Sequence, residues 1–181
     1  MIADQSEQLR KRVAQDCRIL YGGADYACWE CHSGWDDILE RLSYKLEALN
    51  IQFYKKWKVK VIASQVKEKY ATLRFYFCCF IDSKKDPTRE QEVLLRHVEI
   101  LADEYVRQAE QECYNVCEFC GTQIGTKENP RCSTLGWYRY LCRECALKSN
   151  GDAPARYEMN GKYYEGRKRI ANPFKKKAGS K

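Results

Sequence analysis

An α+β fold, in which a small antiparallel sheet is covered by two main helices, is predicted by three features of this chain. Residues 36–50 and the segment after Pro87 carry apolar side chains at helical spacing, the stretch 53–81 between them alternates at strand spacing, and the last third changes to paired cysteines and then to a basic end. With 181 residues the chain suits one ordinary domain plus a small appendage, and the composition shifts divide it as 1–113, 114–150 and 151–181. Its 44% apolar and 13% aromatic content is that of a folded chain.

Taken in order, Leu9, Val13, Cys17 and Leu20 predict a short amphipathic helix within 6–20, which Gly22-Gly23 interrupt before an aromatic, cysteine-bearing loop. A second helix runs from Asp36 on Ile38, Leu39, Leu42, Leu46 and Leu49, with Ser33 or Asp36 as its N-cap and Asn50 as its stop. Val59, Val61, Ala63 and then Leu73, Phe75, Phe77 predict two antiparallel strands, joined through Lys67–Tyr70 by a connection too long for a two-residue turn. A long helix follows from Asp86-Pro87-Thr88, started either by Asp86 with Pro87 at the first helical position or by a Thr88/Gln91 capping box. It carries Leu94, Val98, Leu101, Tyr105 and Ala109 and ends near Cys113. Asn160-Gly161 between Tyr157-Glu158-Met159 and Lys162-Tyr163-Tyr164 predicts a β-hairpin that needs something to pack on, and the final residues read as a flexible basic end.

The N-terminus, MIADQSEQLRKRVAQDC, has no apolar run of signal-peptide length, and nowhere do ~18 apolar residues occur together. The expectation is a soluble, cytoplasmic protein in a reducing compartment, where eleven cysteines point toward metal ligation rather than disulfides. Cys117-Glu-Phe-Cys120 and Cys142-Arg-Glu-Cys145, with 21 residues between them, have the spacing of two knuckles that close one tetrahedral four-thiolate site. Gly121 suits the turn after the second sulfur, where φ is positive. Such a shell favours Zn²⁺ and has no open position for water, so the expected fold ends in a structural zinc ribbon. Cys132, between the pairs, is an alternative ligand. Cys17, Cys28, Cys31 and His32 form a possible second site, against the plainer reading of buried thiols; Cys78, Cys79 and Cys113 fit core positions.

Catalysis is the minority expectation. His97-Val98-Glu99 followed by Cys117-x-x-Cys120 has the elements of a zinc nucleobase deaminase, but valine precedes Cys117 where that signature has proline, and the second CxxC pair is orphaned. Glu68, Lys69 and Arg74 would need a cleft to be more than surface charges.

Several of these motifs recur together. Glu30-Cys31-His32-Ser33-Gly34-Trp35, the strand Gln65-Val-Lys-Glu-Lys-Tyr-Ala-Thr-Leu-Arg-Phe-Tyr76, Cys117-Glu-Phe-Cys-Gly121, Gly136-Trp137 and Cys142-x-x-Cys145 stand in an order that resembles a family of uncharacterised bacterial and bacteriophage proteins with a QVKEKFGTLRFY-like strand and a C-terminal four-cysteine zinc ribbon. The resemblance covers residues 28–146, with Tyr70-Ala71 where the family has Phe-Gly and His32-Ser33 where it has Gly-Asp. It implies the ribbon and a bacterial or phage origin, and no activity.

From Gly151 onward nine Lys or Arg stand against three acids, so +6 of the formal +7 charge lies there. Arg156, Lys162, Arg167, Lys168, Arg169, Lys175, Lys176 and Lys177, interleaved with Tyr157, Tyr163, Tyr164 and Phe174, point to phosphate neutralisation and base stacking, hence to nucleic acid or a nucleic-acid-bound complex as partner. The alternative is a phage-encoded inhibitor of a host defence enzyme, gripping it through Tyr26, Trp29 and Trp35.

Overall fold

The structure is a computed structural model that describes residues 2–136, 138–149 and 155–174. Helices α1 (Ile2–Asp16), α2 (Asp36–Trp57) and α3 (Arg89–Cys113) accompany a sheet of β1 (Trp29–Glu30), β2 (Val59–Lys69) and β3 (Thr72–Ile81) in the order β1-β2-β3. The pair β2–β3 is antiparallel, and β1 adds parallel to β2 through Trp29↔Val66. Val59, Val61, Ala63, Leu73, Phe75, Phe77 and Cys79 join the core formed with α2 and α3. Val66 is also buried, out of phase with Val59, Val61 and Ala63, because the register shifts between Ala63 and Gln65. One extra residue there switches which side chains point inward.

Several expectations need correction. The β2–β3 connection is a tight two-residue turn: Lys67–Lys69 stay in the strand, and Tyr70 and Ala71 take φ of 53° and 62°. That is the left-handed pair a tight hairpin requires, here built without glycine or asparagine and so without the usual signal. Asn50 does not stop α2. It is fully buried inside the helix, accepting from Val61 N–H at 2.7 Å and donating to Val61 O at 3.0 Å, so that a side chain takes the place of a neighbouring strand beside β2. The helix runs on to Lys58, whose left-handed φ of 60° closes it with an N–H bond to Tyr54 O. Neither Ser33 nor Asp36 caps α2: Ser33 opens a short 3-10 turn, Trp35 is the N-cap residue without a side-chain bond, and Asp36 is buried against Arg10 at 2.8 Å. Helix α1 ends at Asp16, leaving Cys17 and Leu20 buried beyond it. Helix α3 starts with the Thr88/Gln91 capping box.

The C-terminal part holds β4 (Cys132–Thr134), β5 (Tyr140–Leu141), α4 (Arg143–Lys148), β6 (Arg156–Met159), β7 (Lys162–Glu165) and β8 (Lys168–Ile170). Its five strands form one sheet in the order β5-β4-β6-β7-β8. The expected hairpin is β6–β7, turning at Asn160 and Gly161 with φ of 50° and 71°, and it packs by pairing β6 with β4. The basic end is flexible by expectation, yet Lys168–Ile170 pair with β7 as a third strand. Lys175, Lys176, Lys177 and Trp137 lie outside the described residues. Among the described residues no helix is long and apolar enough to cross a membrane.

Candidate metal centre

Two short segments bring the four cysteines together. After α3, Cys117 N–H donates to Thr122 O at 2.8 Å and Gly121 N–H donates to Cys117 O at 2.9 Å, folding the chain back with Gly121 at φ 73° as expected. On the other side, Cys142 is the N-cap residue of α4, and Cys145 N–H points at its sulfur at 3.4 Å. The Sγ atoms of Cys117, Cys120, Cys142 and Cys145 all lie within 4.8 Å of one another. Cys120 Sγ stands 3.7 Å from Cys142 Sγ. Four sulfurs about 2.3 Å from a central ion have edges of roughly 3.8 Å, so the quartet can hold a metal ion and is compatible with Zn²⁺. The separation is far too long for a disulfide.

The thiols are electrostatically mismatched without a cation. Burial pushes Cys117 up to about 11. Burial and then the nearby Cys117 sulfur push Cys145 up further still. Burial also opposes ionisation of Cys120, but the hydroxyl and backbone of Thr122 and the adjoining thiols bring it down to about 7. Four sulfur anions in one place repel one another, and a divalent cation at their centre removes that penalty.

Cys132 is buried outside the quartet, its Sγ 4.0 Å from Pro130 O. The possible second site is not assembled: among the described residues the ribbon quartet is the only group of three or more candidate ligands that converge. Cys17 is buried in the core, Cys28 is exposed, and Cys31 lies between those extremes with its carbonyl held by Arg10. His32 turns its ring onto Phe119 at 4.2 Å. The short strand β1 separates Cys28 from Cys31 while burying Trp29 between them. Likewise His97 and Glu99 sit exposed on α3, apart from the quartet. Cys113 is buried and Cys79 half-buried as expected, but Cys78 is exposed on the outer face of β3.

Contacts the sequence did not advertise tie the quartet to the N-terminal hydrophobic core. Gly34 N–H donates to Glu118 O at 2.8 Å, and Trp35 Nε1 donates to Val116 O at 3.2 Å. A Cβ on Gly34 would stand 2.2 Å from Cys117 O, so only glycine allows this approach. Glu118, between the two cysteines of the knuckle, is 1% exposed; Arg139 Nη1 donates to both its carboxylate oxygens at 3.1 Å, and His32 N–H donates to Oε1 at 3.4 Å. Burial raises the Glu118 carboxyl above its usual range, against the pull of Arg139. The one cue was position: Gly34 directly before a tryptophan and Glu118 inside a CxxC.

The basic and aromatic residues divide between two sheet faces. Cys132, Leu141, Tyr157 and Tyr164 belong to the ribbon core, with Tyr157 fully buried and stacked on Tyr164 at 5.3 Å, so neither ring is a free platform. The register Tyr140↔Ser133↔Glu158↔Tyr163↔Ile170 defines the opposite, open face. Strand alternation puts Arg156 and Lys168 on the open face and Lys162 and Arg169 on the other, with Arg167 in the β7–β8 turn. Arg131 lies over Tyr114 at 3.7 Å and Tyr140 at 4.9 Å, a group not foreseen from sequence. Tyr138, Tyr140, Tyr163, Phe174 and Arg131 line a shallow cavity of about 380 Å³ there. Glu68 and Lys69 line a separate cleft of about 400 Å³ with Tyr70 and Tyr138, whereas Arg74 instead pairs with Glu110 at 3.5 Å. Trp29 and Trp35 close the core at 3% and 1% exposure, leaving Tyr26 as the exposed ring of that loop. No family model, no curated protein and no solved structure matches this chain.

Proposed function

We propose that this protein is a non-catalytic module, closed by one structural Zn²⁺, that binds single-stranded nucleic acid across the open face of its C-terminal sheet. The four-thiolate donor set supports zinc, because soft anionic sulfurs in tetrahedral array suit that ion and leave no position for substrate. Bound there, zinc would neutralise the thiolates and fix the two knuckles; it would take no part in chemistry.

The observation that carries the nucleic-acid reading is the open face itself. It presents Tyr140 and Tyr163 in one register row, with Tyr138, Phe174 and Arg131 around the same cavity. Tyr140 and Tyr163 are half-buried, edge-on to Tyr114 and Phe174, while Tyr138 and Phe174 are exposed. Aromatic rings so placed on a sheet suit unstacked bases, whereas bases already stacked in a duplex are out of their reach. Lys168 on that face and Arg167 at its edge supply phosphate contacts, beside Arg156, which is paired with Glu165 of the same face at 2.7 Å. Glu158 is the acid in the row, and its carboxylate already accepts from Gly161 N–H at 2.7 Å. The competing partner, a host defence enzyme held by the aromatic loop, loses two of its three anchors because Trp29 and Trp35 are buried, leaving Tyr26 exposed.

Fluorescence anisotropy with single-stranded and duplex oligonucleotides across a salt series tests this. Single strands should bind more tightly, the affinity should fall with salt, and Tyr163→Ala should weaken single-strand binding by about tenfold or more. Equal binding of duplex, or affinity indifferent to salt and to Tyr163→Ala, would remove the reading.

A further inference from the structure

Strand β3 is a free edge of the first sheet and is ten residues long. Ladder alternation fixes where its backbone groups point. On β2, Val61 N–H is taken by Asn50 and Ala63 N–H by Leu20 O, both on the side away from β3. Their partners Cys79 and Phe77 therefore turn their own N–H and C=O outward from the free edge. Phe75 does the same, and its N–H is taken by Glu110 at 3.3 Å. Among the described residues no hydrogen bond reaches the outward N–H of Phe77 or Cys79.

Helix α3 runs beside this edge. Between them lies a groove of about 690 Å³, with Val106 buried along it and Glu99, Asp103 and Glu110 on the helix side. Among the described residues its one lining cation, Arg107, is engaged by Glu104 at 2.8 Å, and Glu110 is held by Arg74 and Phe75. Glu99 and Asp103 are exposed and form no salt bridge among the described residues. Both line the groove together with Phe77 and Cys79, and after burial their charges help push the Cys79 thiol up, to about 12.

We propose that this groove binds an extended peptide segment of a partner, which adds to β3 as a further strand and carries Lys or Arg at the alternate positions facing α3. Unpaired backbone donors select an extended chain, and two free carboxylates beside no free cation select a basic one. A second copy of β3 is a poorer occupant, because pairing two such edges would crowd the carboxylates of both copies. This site is separate from the open face of the C-terminal sheet and stands whether or not that face binds nucleic acid.

The test uses the full chain and short fluorescein-labelled peptides: one alternating lysine and valine, its glutamate–valine counterpart, and the lysine–valine peptide N-methylated on the amides that would face β3. Saturable binding of the lysine–valine peptide is expected, with hydrogen-exchange protection of Phe77 and Cys79. N-methylation should abolish that binding, and the double variant Glu99→Lys with Asp103→Lys should weaken it about tenfold. The proposal is overturned by no binding of the lysine–valine peptide, by equal binding of the N-methylated or glutamate–valine peptide, or by unchanged exchange at Phe77 and Cys79. Protection of those amides through self-association without peptide would assign the edge to a second copy and overturn it equally.

Discussion

Replacing Gly34 by alanine drives a methyl group into the backbone of the first cysteine knuckle. The new carbon would meet Cys117 O at 2.2 Å, Glu118 O at 2.4 Å and the Glu118 carbonyl carbon at 2.6 Å, none of which can rotate aside. An ordinary C···O approach is roughly 3.3 Å, so the segment leading into α2 and the knuckle must separate by about 1 Å. That movement breaks Gly34 N–H to Glu118 O, now 2.8 Å, and strains Trp35 Nε1 to Val116 O, now 3.2 Å. Overpacking costs about 1–3 kcal/mol and each buried group left without its partner costs about 1–3 more, which gives a destabilisation of roughly 3–5 kcal/mol. Since small domains have only about 5–15 kcal/mol in hand, the loss should be plain in urea unfolding as a large drop in midpoint. Because the same contact braces Cys117, zinc affinity should fall with it. A Gly34→Ala protein with wild-type midpoint and wild-type zinc affinity would show that the two hydrophobic cores are not coupled through this contact.

Three further substitutions or conditions follow from the same geometry. Asn50→Ala should destabilise the chain by about 2–5 kcal/mol in chemical denaturation, because it leaves the Val61 N–H and C=O buried without partners; a change under ~0.5 kcal/mol would mean that water replaces the amide. Tyr70→Asn should raise stability by about 0.5–1 kcal/mol in thermal melts, since Tyr70 is 77% exposed and its φ of 53° suits asparagine better; a lower Tm would contradict this. Zinc affinity, read by chelator competition, should weaken as pH falls, because each thiolate that regains a proton is lost as a ligand, with Cys120 the readiest to ionise at about 7. Affinity flat from neutral to acid pH would argue against thiolate ligation.

Local chemistry was legible in the sequence and long-range chemistry was not. The quartet Cys117, Cys120, Cys142 and Cys145, the Thr88/Gln91 box and the Asn160-Gly161 hairpin depend on spacings of a few residues, and each stands where the spacing puts it. Asn50 reads as a helix stop because asparagine competes locally for backbone bonds, yet here its partner is a strand eleven residues away. Tyr70-Ala71 hides a tight turn because its residues lack the usual ease at positive φ. Cys28, Cys31 and His32 look like a ligand set in a row of letters, but β1 pairing separates them, and a stacking role for Tyr157 fails for a similar reason: strand register turns it inward. Gly34 and Glu118 lie 84 positions apart, and only the fold reveals why a glycine must precede Trp35.

Elemental analysis of the purified, reduced protein, paired with circular dichroism before and after strong chelator, tests the four-thiolate centre most directly. One zinc per chain, lost together with the structure of the C-terminal sheet when chelator is added and removed likewise by Cys142→Ser, is the expected result. A metal-free chain whose sheet persists unchanged in chelator would contradict it.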